Sequence, residues 1–499
     1  MIDKPVIHYN GILTHIEDRS QSLYIRTLLQ RDSLVNENNQ NIAYRIEEDG
    51  TISVWFGFLR LLHNKGAIEF IEEKNKNYDG LVDEVVRLFE EFEYSDPNFK
   101  RRDYQISSVV KAYINKRGLI EIATGGGKSE VFIALTMLLG KKTLIVNNLN
   151  NITQQIKNRY IKRGLSKKDI KFSGVDRNWT NSPISISTTT TIYNGIKRNK
   201  PEIINLLKEV EVLIFDEAHH SRAESWSTIA ALANPEYCFH FTGTGVRNKE
   251  DPLEDPSDAM VYGVTGGPIV NIPSTFLRSK GWQPNPIIHY LLYPSSGFKR
   301  RKDAYKETNW HLLKNESIIH NHNRNSVAID TLVTLDKIGV ITLAVTDSIQ
   351  HGRLLLKMLD SFGVKSLFSY GGNTIMYMSK GKVKQMPGSS SQIDEVIKDG
   401  TIRIVIGSSI YDEGVDISSL EAVMLLSGGK SARRFLQRVG RIRSRNKEPN
   451  VALVFDFWDP YNIVTARHSN MRKKEAELEA MYIEDNLTNM FNLARKIKS

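Results

Sequence analysis

From Tyr104 onward the chain alternates short apolar runs with segments of helical periodicity, and that alternation leaves few folds open. The runs GLIEIA, KTLIVN, ISIST, VEVLIFD and YCFHFTG are each closed by polar residues or glycine. Strands that are apolar along their whole length need cover on both faces, which helices supply in a parallel sheet. A second series, GVITLAVT, KSLFSYGG, IRIVIGSS, EAVMLLSGG and VALVFDF, repeats the pattern. The expectation is an α/β protein with two parallel-sheet domains, joined somewhere within residues 270–310.

Residues 1–95 read differently. NIAYRIEEDGTISVWF predicts two short strands around an Asp49-Gly50 turn. YDGLVDEVVRLFEEFEY predicts an amphipathic helix with Leu81, Val85, Leu88 and Phe89 on one face. In WFGFLRLLHN, Trp55, Phe56 and Phe58 are expected in a core rather than as base-stacking groups. SDPNFKRRD (Ser95–Asp103) reads as a linker, and Gly371–Ser391, with Lys380, Lys382 and Lys384, as a basic surface loop. Gly297–Lys306 is a second basic stretch. The tail from His468 reads as a helix closing the second domain.

Composition narrows the class of protein. Hydrophobic residues make up 40% and charged residues 25%, as in a soluble globular chain. No apolar run approaches the roughly 18 residues of a membrane span, and the start MIDKPVIHYNG does not read as a secretory signal. Cys238 is the single cysteine, which excludes an internal disulfide and a cysteine metal cluster and fits a reducing cytoplasm. The histidine groups HYNG, AHHS and HNHN lack zinc-type partners. A net charge of +10 favours polyanionic partners.

GLIEIATGGGKSEVFIALTMLL places a strand, a glycine loop and a helix in the order that phosphate binding requires. Thr124, Gly125, Gly126 and Gly127 form a loop whose backbone N–H groups can close on phosphate oxygens, at the positive end of the following helix. Lys128 can reach the β- and γ-phosphates of ATP, and Ser129 can ligate Mg²⁺. The first glycine of the general GxxxxGK[ST] pattern would fall at Ile122. VEVLIFDEAHH ends an apolar strand in Asp216 and Glu217. The first suits a Mg²⁺ ligand and the second a general base for the attacking water.

RDYQ (Arg102–Gln105), ATGGGKS, DEAH (Asp216–His219), TGT (Thr242–Thr244), DEGVDI (Asp412–Ile417) and QRVGR (Gln437–Arg441) occur in the order of helicase superfamily 2. The chain resembles the XPB/UvsW/RecG-type DNA helicases of that superfamily, and most of all UvsW-like phage branch-migration helicases. DEAHHSRAESW, TGVR, YGVTGGPIVNIPSTFLRSKGWQPNP and HNRN (His322–Asn325) carry this narrower likeness in pattern. The ATGxGKS form of the family removes the difficulty at Ile122.

The resemblance implies two RecA-like motor domains in tandem, residues 96–275 and 276–470, behind an α+β domain of residues 1–95 and before a C-terminal helix of residues 471–499. ATP would lie between the motor domains. Arg102 and Gln105 would read the adenine, and His219, Thr242 and Thr244 would couple hydrolysis to the nucleic-acid track. Gly414 and Asp416 would approach the nucleotide, and Gln437 and Arg441 would complete the γ-phosphate site. The family pattern QxxGRxxR would end at Ser444, with Arg443 and Arg445 on either side. Either Arg441 acts alone or one of these assists it. Asn147, Thr188 and Thr190 occupy the places of strand-contacting motifs, with Thr346 as a further contact in the second domain.

The function so implied is an ATP- and Mg²⁺-dependent DNA helicase that moves 3′→5′ and remodels forks, Holliday junctions or R-loops. It would work as a cytoplasmic monomer, in a host cell if phage-encoded, beside replication or recombination proteins. The alternatives are the motor subunit of a restriction or defence complex, an RNA helicase, and a nucleotide-gated nucleic-acid binder.

Overall fold

A computed structural model of the protein describes residues 4–30, 34, 42–72, 74–75, 79–148, 150–176, 178–217, 224–243, 256–294, 308–371, 374–388, 390–408, 420–430, 439–440, 442 and 449–498. The chain forms two compact units, Met1–Ala123 with Gly127–Pro273, and Thr124–Gly126 with Ser274–Ser499. Among the described residues no helix is long and apolar enough to cross a membrane.

Short strands open the first unit. β1 (Val6–His8) comes first, β2 (Leu13–Ile16) and β3 (Tyr44–Ile46) flank β4 (Ile52–Trp55) in an antiparallel sheet, and β5 (Glu69–Ile71) pairs in parallel with β1. The main sheet contains β6 (Arg117–Ile122), β7 (Thr143–Asn147), β8 (Ile170–Phe172), β9 (Ile184–Thr188), β10 (Val212–Asp216), β11 (Tyr237–Thr242) and β12 (Pro268–Ile272). All its described pairings are parallel, in the order β12-β6-β11-β10-β7-β9-β8. The interior strands are the continuous apolar runs of the sequence, buried at every position of β6, β7, β9, β10 and β11. The sequence reading did not find β8 and β12. They sit at the two edges, and β12 is only partly covered, so neither carries the apolar signature.

The N-terminal residues do not form a core of their own. Ile12, Ile52, Val54, Phe56, Phe58 and Leu59 belong to the same buried cluster as Leu144, Val146, Phe215, Trp226 and Val264. Two glycines permit this docking. A Cβ on Gly57 would lie 2.1 Å from the Tyr262 carbonyl oxygen, and one on Gly263 would lie 2.3 Å from the Phe58 ring. The helix Phe56–Asn64 therefore meets the helix Pro256–Thr265 nearly backbone to backbone. Arg60 adds a hydrogen bond to the Gly266 carbonyl at 2.9 Å, and the Ile12 amide donates to Asn234 Oδ1 at 3.0 Å. Glycine density in YGVTGG thus has a packing reason.

The predicted amphipathic helix is Leu81–Ser95, which buries Leu81, Val85, Phe89 and Phe92. The stretch after it is a strap rather than a loose linker. Phe99 packs against Phe89 and Phe92, and the Arg101 amide donates to Glu93 at 3.0 Å.

The second unit is a mixed sheet. Its strands are β13 (Asn285–Leu291), β14 (Thr342–Val345), β15 (Ser366–Tyr370), β16 (Thr374–Ser379), β17 (Lys382–Pro387), β18 (Ile404–Gly407), β19 (Ala422–Leu425), β20 (Val451–Phe457) and β21 (Tyr482–Ile483). Their order is β17-β16-β15-β18-β14-β19-β20-β13-β21, parallel except where β16 pairs with β15 and β17. This corrects the reading of residues 371–391 as a surface loop. Residues 374–387 are a hairpin turning at Lys380-Gly381, both at positive φ, and they extend the sheet by two antiparallel strands. Met376, Met378 and Val383 pack one face and Ile375 and Tyr377 the other, a period-2 pattern that the lysines obscured. The tail is likewise not one helix. Helix Ile463–Leu478 gives way at Ala480 (φ 50) to β21, which pairs with β13, and the helix Leu487–Lys498 follows. The basic stretch 297–306 lies outside the described residues.

HNRN resolves into a packing device. Fully buried Arg324 donates to Asp459 at 2.9 Å and to the Leu426 carbonyl at 3.0 Å, and lies 4.0 Å over the Phe457 ring. Tyr293 donates to the same Asp459 oxygen at 2.9 Å. Asn325 meets His351 Nε2 at 2.9 Å, and burial depresses that imidazole to about 3, so it is neutral.

Gly263→Leu is expected to destabilise the first unit by about 1–3 kcal/mol through overpacking, read as a lower urea midpoint. An unchanged midpoint would mean that the two helices do not meet at these glycines.

Candidate functional site

Strand β6 delivers the chain into a turn, Ala123–Gly127, before the helix Lys128–Leu139 begins. Gly125 and Gly127 hold φ of 79° and 81°, a region open to glycine at no steric cost. A Cβ on Gly127 would stand 2.6 Å from Gln105 Nε2, so the side chain of Gln105 lies directly against the loop. Gln105 is placed there by a capping box. Its Oε1 accepts from the Arg102 amide at 2.9 Å at the start of the helix Asp103–Asn115. Arg102 in turn donates to the Tyr104 hydroxyl at 3.1 Å.

Strand β10 carries Asp216 at its C-terminal end, and Glu217 follows with a φ of 64°. Lys128 Nζ donates to Glu217 Oε1 at 2.6 Å and lies 4.0 Å from Asp216 Oδ1. The Glu217 amide donates to Asp216 Oδ1 at 3.1 Å. Burial is the main influence on Asp216 and pushes its carboxyl up to about 6, against the pull of Lys128 and with a further push from Glu217. A side chain of non-glycine type at positive φ beside a buried carboxylate is a locally costly arrangement of the kind found at functional sites.

A second ion cluster braces the helix that follows the loop. Buried Glu130, next to Ser129, receives Arg163 through Nε at 2.7 Å and through the second guanidinium nitrogen at 3.1 Å. Arg163 also pairs with Asp96 at 2.8 Å and lies 4.2 Å over the Phe99 ring. The sequence reading missed this brace. Its members lie on three separate segments, and only a predicted contact between them could have exposed it.

Other predicted residues take other places. Asn147 is buried and donates to Thr153 at 3.1 Å. Thr188 caps the helix Thr189–Lys197 by accepting from the Thr191 amide at 3.3 Å. Thr346 is buried, 3.1 Å from His351 Nδ1, and accepts from the Ser348 amide at 3.3 Å. Each of these three side chains has a partner within the fold. Thr190, one residue inside the helix start, is exposed. Thr242 ends β11 in a buried position. His219, Thr244, Gly414, Asp416, Gln437, Arg441, Arg443 and Arg445 lie outside the described residues.

The residues fit a nucleotide with a divalent cation. The glycine turn opens onto a helix N-terminus, an ammonium stands beside it, and Asp216 presents a buried, destabilised carboxylate. Among the described residues no group of three or more His, Cys, Asp or Glu could hold a metal alone.

Residues 98–247 match the family model described as type III restriction enzyme, res subunit. The DNA 3′-5′ translocase XPB2 of Sulfurisphaera tokodaii is 25% identical over 400 residues, covering 76% of this chain and 85% of its own length. The structure of T4 UvsW aligns with 97% of this chain and 99% of its own at 16% identity, with a TM-score of 0.40. The structure of S. cerevisiae Dbp5 bound to RNA and ADP BeF3 covers 85% of this chain and 100% of its own, with a TM-score of 0.54 at 13% identity, a likeness of fold. With the ordered motifs and the loop–acid geometry, the family-model match, the translocase relative and the Dbp5 likeness of fold make the chain an ATP-dependent helicase with the α/β fold of tandem RecA-like helicases, similar over most of its length to an XPB-type translocase.

Proposed function

We propose that the protein is an ATP-driven DNA motor that remodels branched DNA, moving 3′→5′ along one strand at forks, four-way junctions or R-loops. The observation that carries the motor chemistry is the contact of Lys128 with Glu217 at 2.6 Å beside buried Asp216. DNA as substrate, and the direction, rest on the likeness to a relative named a DNA 3′-5′ translocase.

In this reading the Thr124–Gly127 amides cradle the phosphates, and Arg102 and Gln105 bind the adenine. Ser129 and Asp216 would hold a Mg²⁺ ion, whose charge offsets that gathering on the phosphoryl oxygens. Lys128 donates to Glu217 in the absence of nucleotide. Phosphates entering the loop compete for the ammonium and weaken its hold on Glu217, which then orients and deprotonates water. Substrate binding thereby activates the base. Thr242, with His219 and Thr244, passes the state of the site to the strand, which Thr190 touches. Gly414, Asp416, Gln437 and Arg441, with Arg443 or Arg445, serve the γ-phosphate side. Residues 1–95 contact the duplex or junction, and the protein works as a cytoplasmic monomer with replication or recombination proteins.

The restriction-enzyme family model over residues 98–247 favours a second reading, a translocating subunit that does not separate strands. Hydrolysis and unwinding are measured together on blunt duplex, forked DNA, a four-way junction and an RNA–DNA hybrid. Unwinding concentrated on forks and junctions is expected. DNA-stimulated hydrolysis without unwinding of any substrate favours the subunit reading, and unwinding restricted to the hybrid excludes the branched-DNA one.

Lys128→Ala is expected to abolish hydrolysis in a folded chain; normal turnover would remove this site from the mechanism. Asp216→Asn separates stability from activity. The rise of its carboxyl from 3.8 to about 6 corresponds to roughly 3 kcal/mol held against the fold. That cost is absent below pH 3.8, grows through the window up to about 6 and is complete above it. At pH 7.5 without nucleotide the variant is expected to melt higher by roughly 6–12 °C, at about 2–4 °C per kcal/mol, while losing hydrolysis. A lower melting temperature for Asp216→Asn would show that the Lys128 attraction outweighs burial.

A further inference from the structure

The second unit contains a cavity of about 870 Å³ that the site described above does not use. It opens at the C-terminal ends of β14, β19 and β20, bounded by Asp347, by Leu425 and the turn Ser427–Lys430, by Asp456, and by one face of the helix Ile463–Leu478. Ligands of open α/β sheets bind at these strand ends.

Its lining divides by chemistry. Leu425, Val464 and Met471 are apolar, and half-buried Trp310 lies with its ring 4.7 Å from that of His468. Every acid at the wall is already answered. Asp456 accepts from Arg472 at 2.7 Å, and Asp347 pairs with Lys314 at 2.9 Å. Arg472 also donates to the Gly429 carbonyl at 2.8 Å, which fixes the turn. Lys430 and Arg467 are exposed at the rim, and neither forms an ion pair among the described residues. His468 is 8% exposed; its ring hydrogen-bonds the Gly428 backbone, and its Nδ1 is buried without a hydrogen-bond partner among the described residues. Burial holds that imidazole below the ordinary histidine value, so it is neutral.

An aromatic wall, with a buried ring nitrogen and two exposed cations that have no partner among the described residues, matches a planar heterocycle carrying an anion. We infer that this cavity receives one nucleotide unit of a single strand, its base against Trp310 with an edge toward His468 Nδ1 and its phosphate between Lys430 and Arg467. The inference rests on the reading of the protein as a nucleic-acid motor and adds a contact that no helicase motif assigns. Base stacking on an aromatic side chain tolerates any sequence, as a motor requires.

The test uses the full chain and fluorescence anisotropy of a labelled oligothymidylate and of an abasic strand of equal length. Trp310→Ala is expected to reduce the ratio of intact-to-abasic affinity about tenfold, the scale of one base–aromatic stack, and Trp310→Phe to preserve most of it. Arg467→Glu, at an exposed position, is expected to weaken both strands alike and to lessen the salt dependence of binding by about one phosphate contact. An unchanged ratio in Trp310→Ala, or indifference to Arg467→Glu, overturns the pocket while leaving the motor reading intact. Failure of the unaltered chain to bind any strand overturns both. Displacement of the strand by free thymidine monophosphate at micromolar concentration would assign the pocket to a free nucleotide instead.

Discussion

A carboxylate at the end of a strand buried on both faces has little water to solvate it, and the first unit is organised around that difficulty. Asp216 is kept at the terminus of β10 by parallel neighbours on both sides, β7 and β11. Lys128 partly offsets its charge and Glu217 adds to it, with burial outweighing both. The amine can stand there because the glycine turn releases the helix Lys128–Leu139 at that point. The helix keeps its position because Arg163 clamps Glu130 in its first turn. Strand, turn, helix and brace form one mechanical unit, and each part would be under less constraint without the buried acid.

Much of this was readable from residue order. The continuous apolar runs became the inner strands because a strand covered on both faces has no room for polar positions. Lys128, Asp216 and Glu217 could be paired in advance because phosphate chemistry demands those groups together. The failures have physical causes too. Edge strands such as β8 and β12 lack the pattern because they lack one neighbour. The hairpin 374–387 was hidden by lysines on its exposed positions, although Ile375, Met376 and Val383 alternate beneath them. The Arg163 brace joins distant segments, and composition offers no clue to such pairs.

The segments that mark the narrower subgroup separate into chemistry and packing. HNRN supplies Arg324, whose guanidinium is buried with Asp459, and the YGVTGG glycines admit the helix Phe56–Asn64 at backbone distance. Removing one partner of a buried pair such as Arg324–Asp459 typically costs about 3–5 kcal/mol. Shared letters at such positions therefore report a common architecture, and substrate choice must be sought in groups that face outward.

The hairpin at the end of the second sheet bears on how the protein behaves in a crowded solution. Among the described residues β17 has a strand on one side only, and an unpaired row of backbone groups invites edge-to-edge growth. Lys382 and Lys384 stand along it and Pro387 closes it. Any second copy docking there would bring like charges together and meet a residue with no amide to donate. The lysines that made the segment look like a basic surface loop also act as a guard against self-association, and a chain made neutral at those positions would be the more prone to aggregate.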